Sequence, residues 1–149
     1  MAGAYCNLLY HLLFSTKGRR PLISSAMKMR LHDYIGGIVR GEDGDLLEIN
    51  SVADHVHLAV RLHPTRAIAD VLRLIKSNSS RWANEKFRRG PSFAWQEGYA
   101  AFTVSQSQVP RLLDYIRGQE EHHRKQDFRR ELVSLLRRNG IAFEERYLL

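Results

Sequence analysis

Two histidines separated by one apolar residue are the first side chains in this sequence whose type and spacing could do chemistry. They are His55 and His57, within the run DHVHLAV at residues 54–60. In an extended strand alternate side chains share a face, so both imidazoles would point to one side while the intervening apolar residues point to a core. Two neighbouring imidazoles on a rigid strand can bind one metal ion. The same pattern is compatible with a half-buried strand that carries no site.

A tyrosine and a glutamine form the second candidate pair. Tyr115 and Gln119 are four residues apart in a segment with helical periodicity, and His122 follows three residues later. This spacing predicts one continuous helix with the three side chains along a polar face, because residues three and four apart are neighbours on a helix. Such a tyrosine usually serves amphipathic packing, with its hydroxyl in solvent. The pair gains weight because a His-x-His strand occurs in the same small, basic chain.

The charge balance and the cysteine content restrict the class of protein. The 149 residues include 23 Lys and Arg against 16 Asp and Glu, which gives a formal net charge of +7. This excess indicates a polyanionic partner, usually nucleic acid, although a basic globular protein without such a partner has the same composition. The single cysteine, Cys6, excludes an intramolecular disulfide framework and a cysteine-based zinc cluster, and it fits a reducing compartment.

The length predicts one domain that spans residues 1–149 and buries a substantial core. No apolar run is long enough to cross a bilayer, and the N-terminus lacks a signal-peptide pattern. We therefore expect a cytoplasmic protein that has no membrane partner.

Apolar runs and turn residues predict the element order β-α-β-β-α-β, followed by further helices. The predicted strands span residues 5–16, 46–52, 55–62 and 99–105. The predicted helices begin after Ser24 or Ser25, after Pro64 and Thr65, at Pro110 and at Asp127, and the last one ends before Gly140. Serine as an N-cap, proline in a first turn and glycine after a helix end are the signals used here.

Basic residues interleaved with aromatic ones are the candidate DNA contacts. Cations can bind phosphates, and a flat side chain such as Trp82 can stack on an unpaired base. The predicted DNA contacts are His11, Lys17, Arg19, Arg20, Lys76, Ser79, Arg81, Trp82, Lys86, Arg88 and Arg89. A solvated basic face over a few core aromatics is the alternative, and a lone histidine on a strand is usually structural.

Several motifs in the same order resemble one family, the single-tyrosine HUH transposases, together with their repeat-associated relatives. These small enzymes move insertion sequences as single-stranded DNA. The similar segments are YHLLFSTK (10–17), DHVHL (54–58), KSNSSRW (76–82), WQEGY (95–99), FTVS (102–105) and YIRGQ (115–119). The resemblance covers most of the chain, and the order of separate motifs makes it specific.

The resemblance implies a fold and a site. The fold would be α+β, a ferredoxin-like or RRM-like βαββαβ antiparallel sheet with additional C-terminal helices. Tyr115 would attack the scissile phosphate. His55, His57 and Gln119 would bind a divalent cation, Mg²⁺ or Mn²⁺, with His122 as a secondary candidate.

The resemblance also implies a reaction and partners. A metal-dependent transposase of this type cleaves and rejoins single-stranded DNA at hairpin-bearing element ends, through a 5′-phosphotyrosine intermediate. It acts as a homodimer, in which the tyrosine of one protomer often serves the metal site of the other. The sequence leaves open whether Tyr115 acts in its own chain or in its partner.

Three alternatives stay open at this stage. A domesticated nuclease that cuts repeat hairpins would use the same residues. A non-catalytic single-stranded nucleic-acid-binding module would bind with salt-sensitive affinity and form no covalent adduct. A metal hydrolase that uses His55, His57, His122 and His123 would turn over with water instead of forming a protein–DNA conjugate.

Overall fold

The computed structural model of the chain describes residues 3–87, 90 and 92–148. Within these residues the elements are β1 (Leu8–Ser15), α1 (Lys28–Gly41), β2 (Asp45–Ser51), β3 (His55–Leu62), α2 (Ile68–Lys86), β4 (Ala100–Thr103), α3 (Val109–Arg117), α4 (Gln119–Lys125) and α5 (Phe128–Arg138). The four strands form one sheet in the order β2-β3-β1-β4, and every neighbouring pair is antiparallel. This is the predicted ferredoxin-like βαββαβ sheet with additional C-terminal helices.

The two central strands, β1 and β3, divide the molecule into two layers. Val56, Leu58 and Val60 alternate along β3 and are fully buried on one face. They pack with residues of α1 and α2 in the larger hydrophobic core. His55 and His57 therefore point to the opposite face, because successive strand residues alternate. The alternation predicted from the sequence is confirmed.

The helix α5 covers part of the histidine-bearing face. Its apolar residues form a smaller core with side chains of β1 and β4, made of Leu13, Ala100, Phe102, Phe128, Leu132, Leu135 and Leu136. The helix begins where predicted, since the Asp127 carboxylate accepts a hydrogen bond from the Arg130 amide at 2.9 Å. It ends before Gly140, whose φ of +68° suits glycine.

The helix predicted to run without interruption from Pro110 past His123 is in fact two helices. α3 ends at Arg117 and α4 begins at Gln119, with Gly118 between them. Glycine is about 1 kcal/mol less favourable than alanine inside a helix. In addition, the Asn50 side-chain amide donates to the carbonyls of Ile116 at 2.9 Å and Arg117 at 3.1 Å, which occupies acceptors at the end of α3.

A hairpin forms one edge of the sheet, and a serine precedes the first helix. β2 and β3 form this hairpin, with a bulge between Leu46 and Glu48. The Ser24 hydroxyl accepts a hydrogen bond from the Met27 amide, just before α1. In the described part of the chain, no helix combines the length and the apolar character needed to span a membrane.

We expect Leu132 to anchor α5 to the sheet, because its side chain is only 2% exposed in the smaller core. The substitution Leu132→Ala should lower the free energy of unfolding by about 2–5 kcal/mol, since it leaves a cavity in a packed core. Urea unfolding monitored by circular dichroism measures the change. Val133→Ala on the same helix, outside that core, is the control; equal losses for the two variants would show that α5 is not held by this contact.

Candidate active site

Four side chains from three elements converge on the carboxylate of Glu131 in α5. Its Oε1 lies 3.2 Å from His55 Nε2 and 3.0 Å from His57 Nε2, both on β3. Its Oε2 accepts a hydrogen bond from the Tyr115 hydroxyl of α3. It also accepts one from the Gln119 side-chain amide of α4, at 3.2 Å. The histidine pair and the tyrosine, which are far apart in sequence, thus meet on one acidic residue.

The cluster is almost completely withdrawn from solvent. Glu131 is 3% exposed, His55 is 1% exposed, and His57 and Gln119 are 0% exposed. A buried carboxylate is costly unless opposite charge and hydrogen bonds compensate it. Burial by itself would raise the pKa of Glu131, but the hydrogen bonds from His55 and His57 hold it well below its usual range. Glu131 is therefore an anion at neutral pH.

His55 supplies the compensating charge. Its Nδ1 lies 2.7 Å from Asp54 Oδ1, while its Nε2 faces Glu131. Burial disfavours the imidazolium, yet the hydrogen bonds to Asp54 and Glu131 outweigh it and raise the pKa of His55 to about 9. With both ring nitrogens donating, His55 is a cation that is paired on both sides.

His57 is neutral and is held in place by His11 of β1. The atoms His11 Nε2 and His57 Nδ1 are 2.8 Å apart, and the two rings stack with centroids 5.1 Å apart. Burial lowers the pKa of His57, and it lowers that of His11 to about 3. If His11 donates to His57, then His57 can donate from Nε2 to Glu131. His11, predicted to contact DNA, is 4% exposed; it contacts His57 and also lines the cavity beside Tyr115.

Tyr115 is half-buried against the same cluster. Its ring stacks on His122 with centroids 4.6 Å apart and meets His57 edge-on at 5.8 Å. Burial and the negative charge of Glu131 raise the pKa of the phenol above its usual range. In this arrangement the phenol is a protonated hydrogen-bond donor, so it needs a change in its surroundings before it can act as a nucleophile.

The donor atoms in this cluster can hold a metal ion. The ligand nitrogens of His55 and His57 and a carboxylate oxygen of Glu131 lie within 4.8 Å of one another. Gln119 Oε1 lies 3.3 Å from His55 Nε2, so the amide predicted as third ligand borders the same space. Two imidazoles and a carboxylate are a common donor set for divalent metals. His122, the secondary candidate, is engaged with the tyrosine ring instead.

Glu131 was missed in the sequence, although a signal for it exists. It follows Phe128 by three residues and precedes Leu135 by four, which places a carboxylate on the apolar face of α5. An acidic residue on such a face must find a partner in the folded protein. That partner could have been sought among the histidines of the sheet.

The predicted DNA contacts of the basic turn remain on the surface. Lys17, Arg19 and Arg20 are exposed at the end of β1. The turn is tied to a neighbouring loop, since the Gly18 amide donates to Gln96 Oε1 at 3.0 Å. The structure leaves these three side chains accessible to a polyanion.

The predicted contacts on α2 lie on the other face of the sheet from the histidines. Ser79 is fully buried and accepts a hydrogen bond from the Trp95 indole at 2.9 Å, so it belongs to the core and cannot contact DNA as predicted. Lys76 donates to two carbonyls of the loop at residues 96–98, at 2.6 and 2.7 Å, and thereby holds that loop. Trp82 stacks on Tyr34 with centroids 5.1 Å apart.

Four further basic residues in and after α2 were predicted to contact DNA, and the structure describes two of them. Arg81 and Lys86 are exposed on α2. Arg88 and Arg89 lie outside the described residues.

Comparison with known proteins identifies the family. The profile of the family described as "Transposase IS200 like" matches residues 4–119. The chain belongs to the IS200-like transposase family. It is 25% identical over 124 residues to the ISDra2 transposase TnpA of Deinococcus radiodurans, covering 80% of this chain and 89% of that protein. It is 24% identical over 126 residues to the IS200 transposase of Salmonella typhimurium, covering 81% and 82% of the two chains.

Two solved structures share the fold. One, from Deinococcus radiodurans R1 and provisionally assigned as a transposase, has a TM-score of 0.66 at 26% identity, over 80% of this chain and 95% of that one. The other is a REP-associated tyrosine transposase bound to a REP hairpin, with a TM-score of 0.63 at 15% identity, over 83% and 73% of the chains.

Family membership confirms the resemblance found in the sequence, and it implies DNA cleavage and strand transfer as the activity of the IS200-like chain. The family match ends at residue 119, so Glu131 and the rest of α5 lie beyond it. The centre of the buried cluster is therefore supplied by a part of this IS200-like transposase that the family profile does not cover.

We expect the phenol of Tyr115 to resist ionisation in the metal-free protein, because burial and the Glu131 charge both disfavour phenolate. Glu131→Gln removes that charge and should shift the midpoint to lower pH. The ¹³C-labelled tyrosine resonances, followed by NMR from neutral to strongly alkaline pH, report the midpoint, and Tyr115→Phe assigns the signal. Glu121→Gln, an exposed change on α4, is the control. Identical midpoints in wild type and Glu131→Gln would contradict this account.

Proposed function

We propose that the chain is a metal-dependent single-stranded DNA transposase. Working as one HUH domain, it would cleave and rejoin DNA at hairpin-bearing element ends through a 5′-phosphotyrosine intermediate. One observation carries the proposal: the Tyr115 hydroxyl and the nitrogens of His55 and His57 meet on the carboxylate of Glu131. A nucleophile and a set of metal ligands around one phosphate-sized position are what tyrosine-based strand transfer needs.

His55, His57 and Glu131 would hold the cation, with Gln119 completing or exchanging with this set. The carboxylate adds a negative charge to the set of three neutral ligands expected from the sequence. Carboxylate ligands suit Mg²⁺ or Mn²⁺. When bound, the cation would offset the charge of Glu131 and of the phosphate oxygens, and so favour both the loss of the phenolic proton and attack at phosphorus.

Tyr115 would be the nucleophile. Its phenolic oxygen forms a bond to phosphorus while the bond from phosphorus to the 3′-oxygen breaks. Glu131 accepts the hydrogen bond of the phenol and so positions its oxygen. The phenolic proton is lost to solvent, and the 3′-oxygen takes up a proton from solvent to leave as a hydroxyl. A different 3′-hydroxyl can reverse these steps and join two strands. No nucleotide cofactor is consumed, because the phosphotyrosine link conserves the phosphodiester bond energy.

Neighbouring side chains would position the reacting groups. His11 orients the ring of His57 through its 2.8 Å contact. Gln119 donates to the same Glu131 oxygen as the phenol and fixes that carboxylate oxygen in place. His122 supports the phenol ring by stacking on it.

We propose that each protomer of a homodimer completes its own site, since Tyr115 and the histidines of one chain already converge on Glu131. The dimer would bind the DNA hairpin apart from the reacting phosphate. The exposed turn with Lys17, Arg19 and Arg20 supports binding of the phosphate backbone by charge.

Addition of Mn²⁺ or Mg²⁺ should raise the melting temperature of wild-type protein, because a ligand that binds only the folded state stabilises it, by about 2.7 kcal/mol at a hundredfold excess over Kd. His57→Ala and Glu131→Gln should lose most of the shift relative to their own metal-free baselines. Scanning fluorimetry with EDTA or with the cation measures it, and Glu121→Gln is the control. A full melting-temperature shift in Glu131→Gln, together with no shift in Gln119→Ala, would show that the third ligand is the Gln119 amide and not Glu131.

Incubation with a panel of single-stranded hairpin oligonucleotides and Mn²⁺ should give a covalent protein–DNA band on a denaturing gel. Tyr115→Phe should abolish that band, since it removes the oxygen that bonds to phosphorus, and should keep DNA binding. Band intensity and gel-shift affinity are the measurements. A band that survives in Tyr115→Phe would exclude Tyr115 as the nucleophile.

The same assay tests which chain supplies the tyrosine. A mixture of Tyr115→Phe and His57→Ala protein, unfolded together and refolded to allow mixed dimers, should stay inactive if each site is built within one chain. Recovery of the band in the mixture would show instead that the tyrosine acts in the partner's site.

A further inference from the structure

A cavity of about 360 Å³ opens directly beside Tyr115. It lies between the end of β4, the helix α3 and the last turn of α5. Apolar side chains form part of its wall and exposed polar ones lie at its rim, a combination typical of sites that bind small organic groups. Phe102, Leu112 and Leu135 belong to the apolar part of the wall, and Gln108, Arg111 and Arg138 to the rim.

Both guanidinium groups are available to an anion. Within residues 3–87, 90 and 92–148, neither Arg111 nor Arg138 forms an ion pair or a side-chain hydrogen bond, whereas the nearby Arg117 is paired with Glu48 at 2.6 Å. Arg111 and Arg138 line the same cavity as Tyr115. An anion bound by these arginines would therefore lie close to the Tyr115 hydroxyl.

We propose that this cavity binds the nucleotide on the 3′ side of the scissile phosphate. The base would lie against Phe102, Leu112 and Leu135, and the 5′-phosphate would face Arg138 and Arg111. This inference rests on the proposed function, because it assumes that Tyr115 attacks a DNA phosphate. It adds to that function a subsite for one defined nucleotide.

The direction of attack selects this nucleotide over its neighbour. In an in-line displacement the leaving 3′-oxygen lies on the side of phosphorus opposite to the attacking phenol. The nucleotide that carries the 3′-oxygen is therefore directed away from Tyr115. The nucleotide on the 3′ side is attached to the same phosphorus through its 5′-oxygen, and it can turn toward the cavity wall that Tyr115 forms. This nucleotide stays linked to the protein after cleavage.

The shape and polarity of the cavity fit one nucleotide. A volume of about 360 Å³ is at the lower end of the range for small-molecule sites, and it cannot admit a base pair with its backbones. The apolar walls suit a base ring, and Arg138 and Arg111 suit a phosphate, for which guanidinium is a preferred donor. The Gln108 amide at the rim can hydrogen-bond a base edge and would give the subsite a base preference.

The probes are the four 2′-deoxynucleoside 5′-monophosphates, each of which reproduces this nucleotide with the phosphate at its 5′ end. Binding is measured by NMR titration of the full chain in EDTA, where no cleavage takes place. We expect the 5′-monophosphates to bind about tenfold more tightly than inorganic phosphate or the 3′-monophosphates. Equal affinity for inorganic phosphate would overturn the proposal, since it would show an anion contact without a base subsite.

Two variants and one control localise the binding. Arg138→Gln removes the phosphate contact, and Ser105→Trp fills the cavity from its exposed rim; each should weaken 5′-monophosphate binding about tenfold. Arg130→Gln, an exposed arginine elsewhere on α5, should leave the affinity unchanged and controls for net charge. Melting temperatures of all three verify folding. Unchanged affinity in both Arg138→Gln and Ser105→Trp would place the nucleotide elsewhere and overturn the proposal.

The experiments distinguish a failure of the nucleotide subsite from a failure of the proposed reaction. A covalent adduct with hairpin DNA but no selective binding of 5′-monophosphates would refute the subsite and leave the tyrosine chemistry intact. Selective binding that is lost in Arg138→Gln and Ser105→Trp, with no adduct on any oligonucleotide, would support the subsite and contradict the proposed reaction.

Discussion

The site depends on one buried carboxylate. Glu131 sits at 3% exposure, with one oxygen facing two imidazoles and the other facing a phenol and an amide. Removing a charge from water costs several kcal/mol, so this position is tolerable only when every lone pair is used and an opposite charge is close. The His55 imidazolium supplies that charge. The need to satisfy Glu131 therefore draws β3, α3, α4 and α5 together at one point.

The sheet keeps structure and chemistry on separate faces. Because side chains alternate along β3, Val56, Leu58 and Val60 bind α1 and α2 to one face, while His55 and His57 are left for the other. Packing on the first face fixes the strand without involving the histidines. The imidazoles thus stand on a support whose position is set by hydrophobic burial, which keeps two buried polar rings in register.

Two residues discussed above lie in the C-terminal segment, which the family profile does not match. The IS200-like match ends at residue 119, whereas Glu131 and Arg138 come from α5. The break at Gly118 separates α3 from α4, so that Tyr115 and Gln119 contact Glu131 from two helices. The phenol is held as a hydrogen-bond donor, with its pKa raised by burial and by Glu131.

The sequence by itself determined what depends on local periodicity and on motif order. The β-α-β-β-α-β order, the alternation along residues 55–62 and the caps at Asp127 and Gly140 follow from patterns only a few residues long. The His-x-His pair, together with the tyrosine, indicated the transposase family, since these motifs are short segments that can be read directly from the sequence. Tyr115 and the two histidines were predicted as site residues in this way, without knowledge of their distance.

Only the tertiary structure decided which distant side chains meet. That Glu131 lies between the histidines and the phenol, that His11 orients His57, and that Ser79 is buried against Trp95 all depend on how elements pack across the sheet. The cavity between β4, α3 and α5 likewise cannot be predicted from any single segment of the sequence. The physical reason is that a local pattern sets which face a residue occupies, while packing between elements far apart in the chain sets what that face contacts.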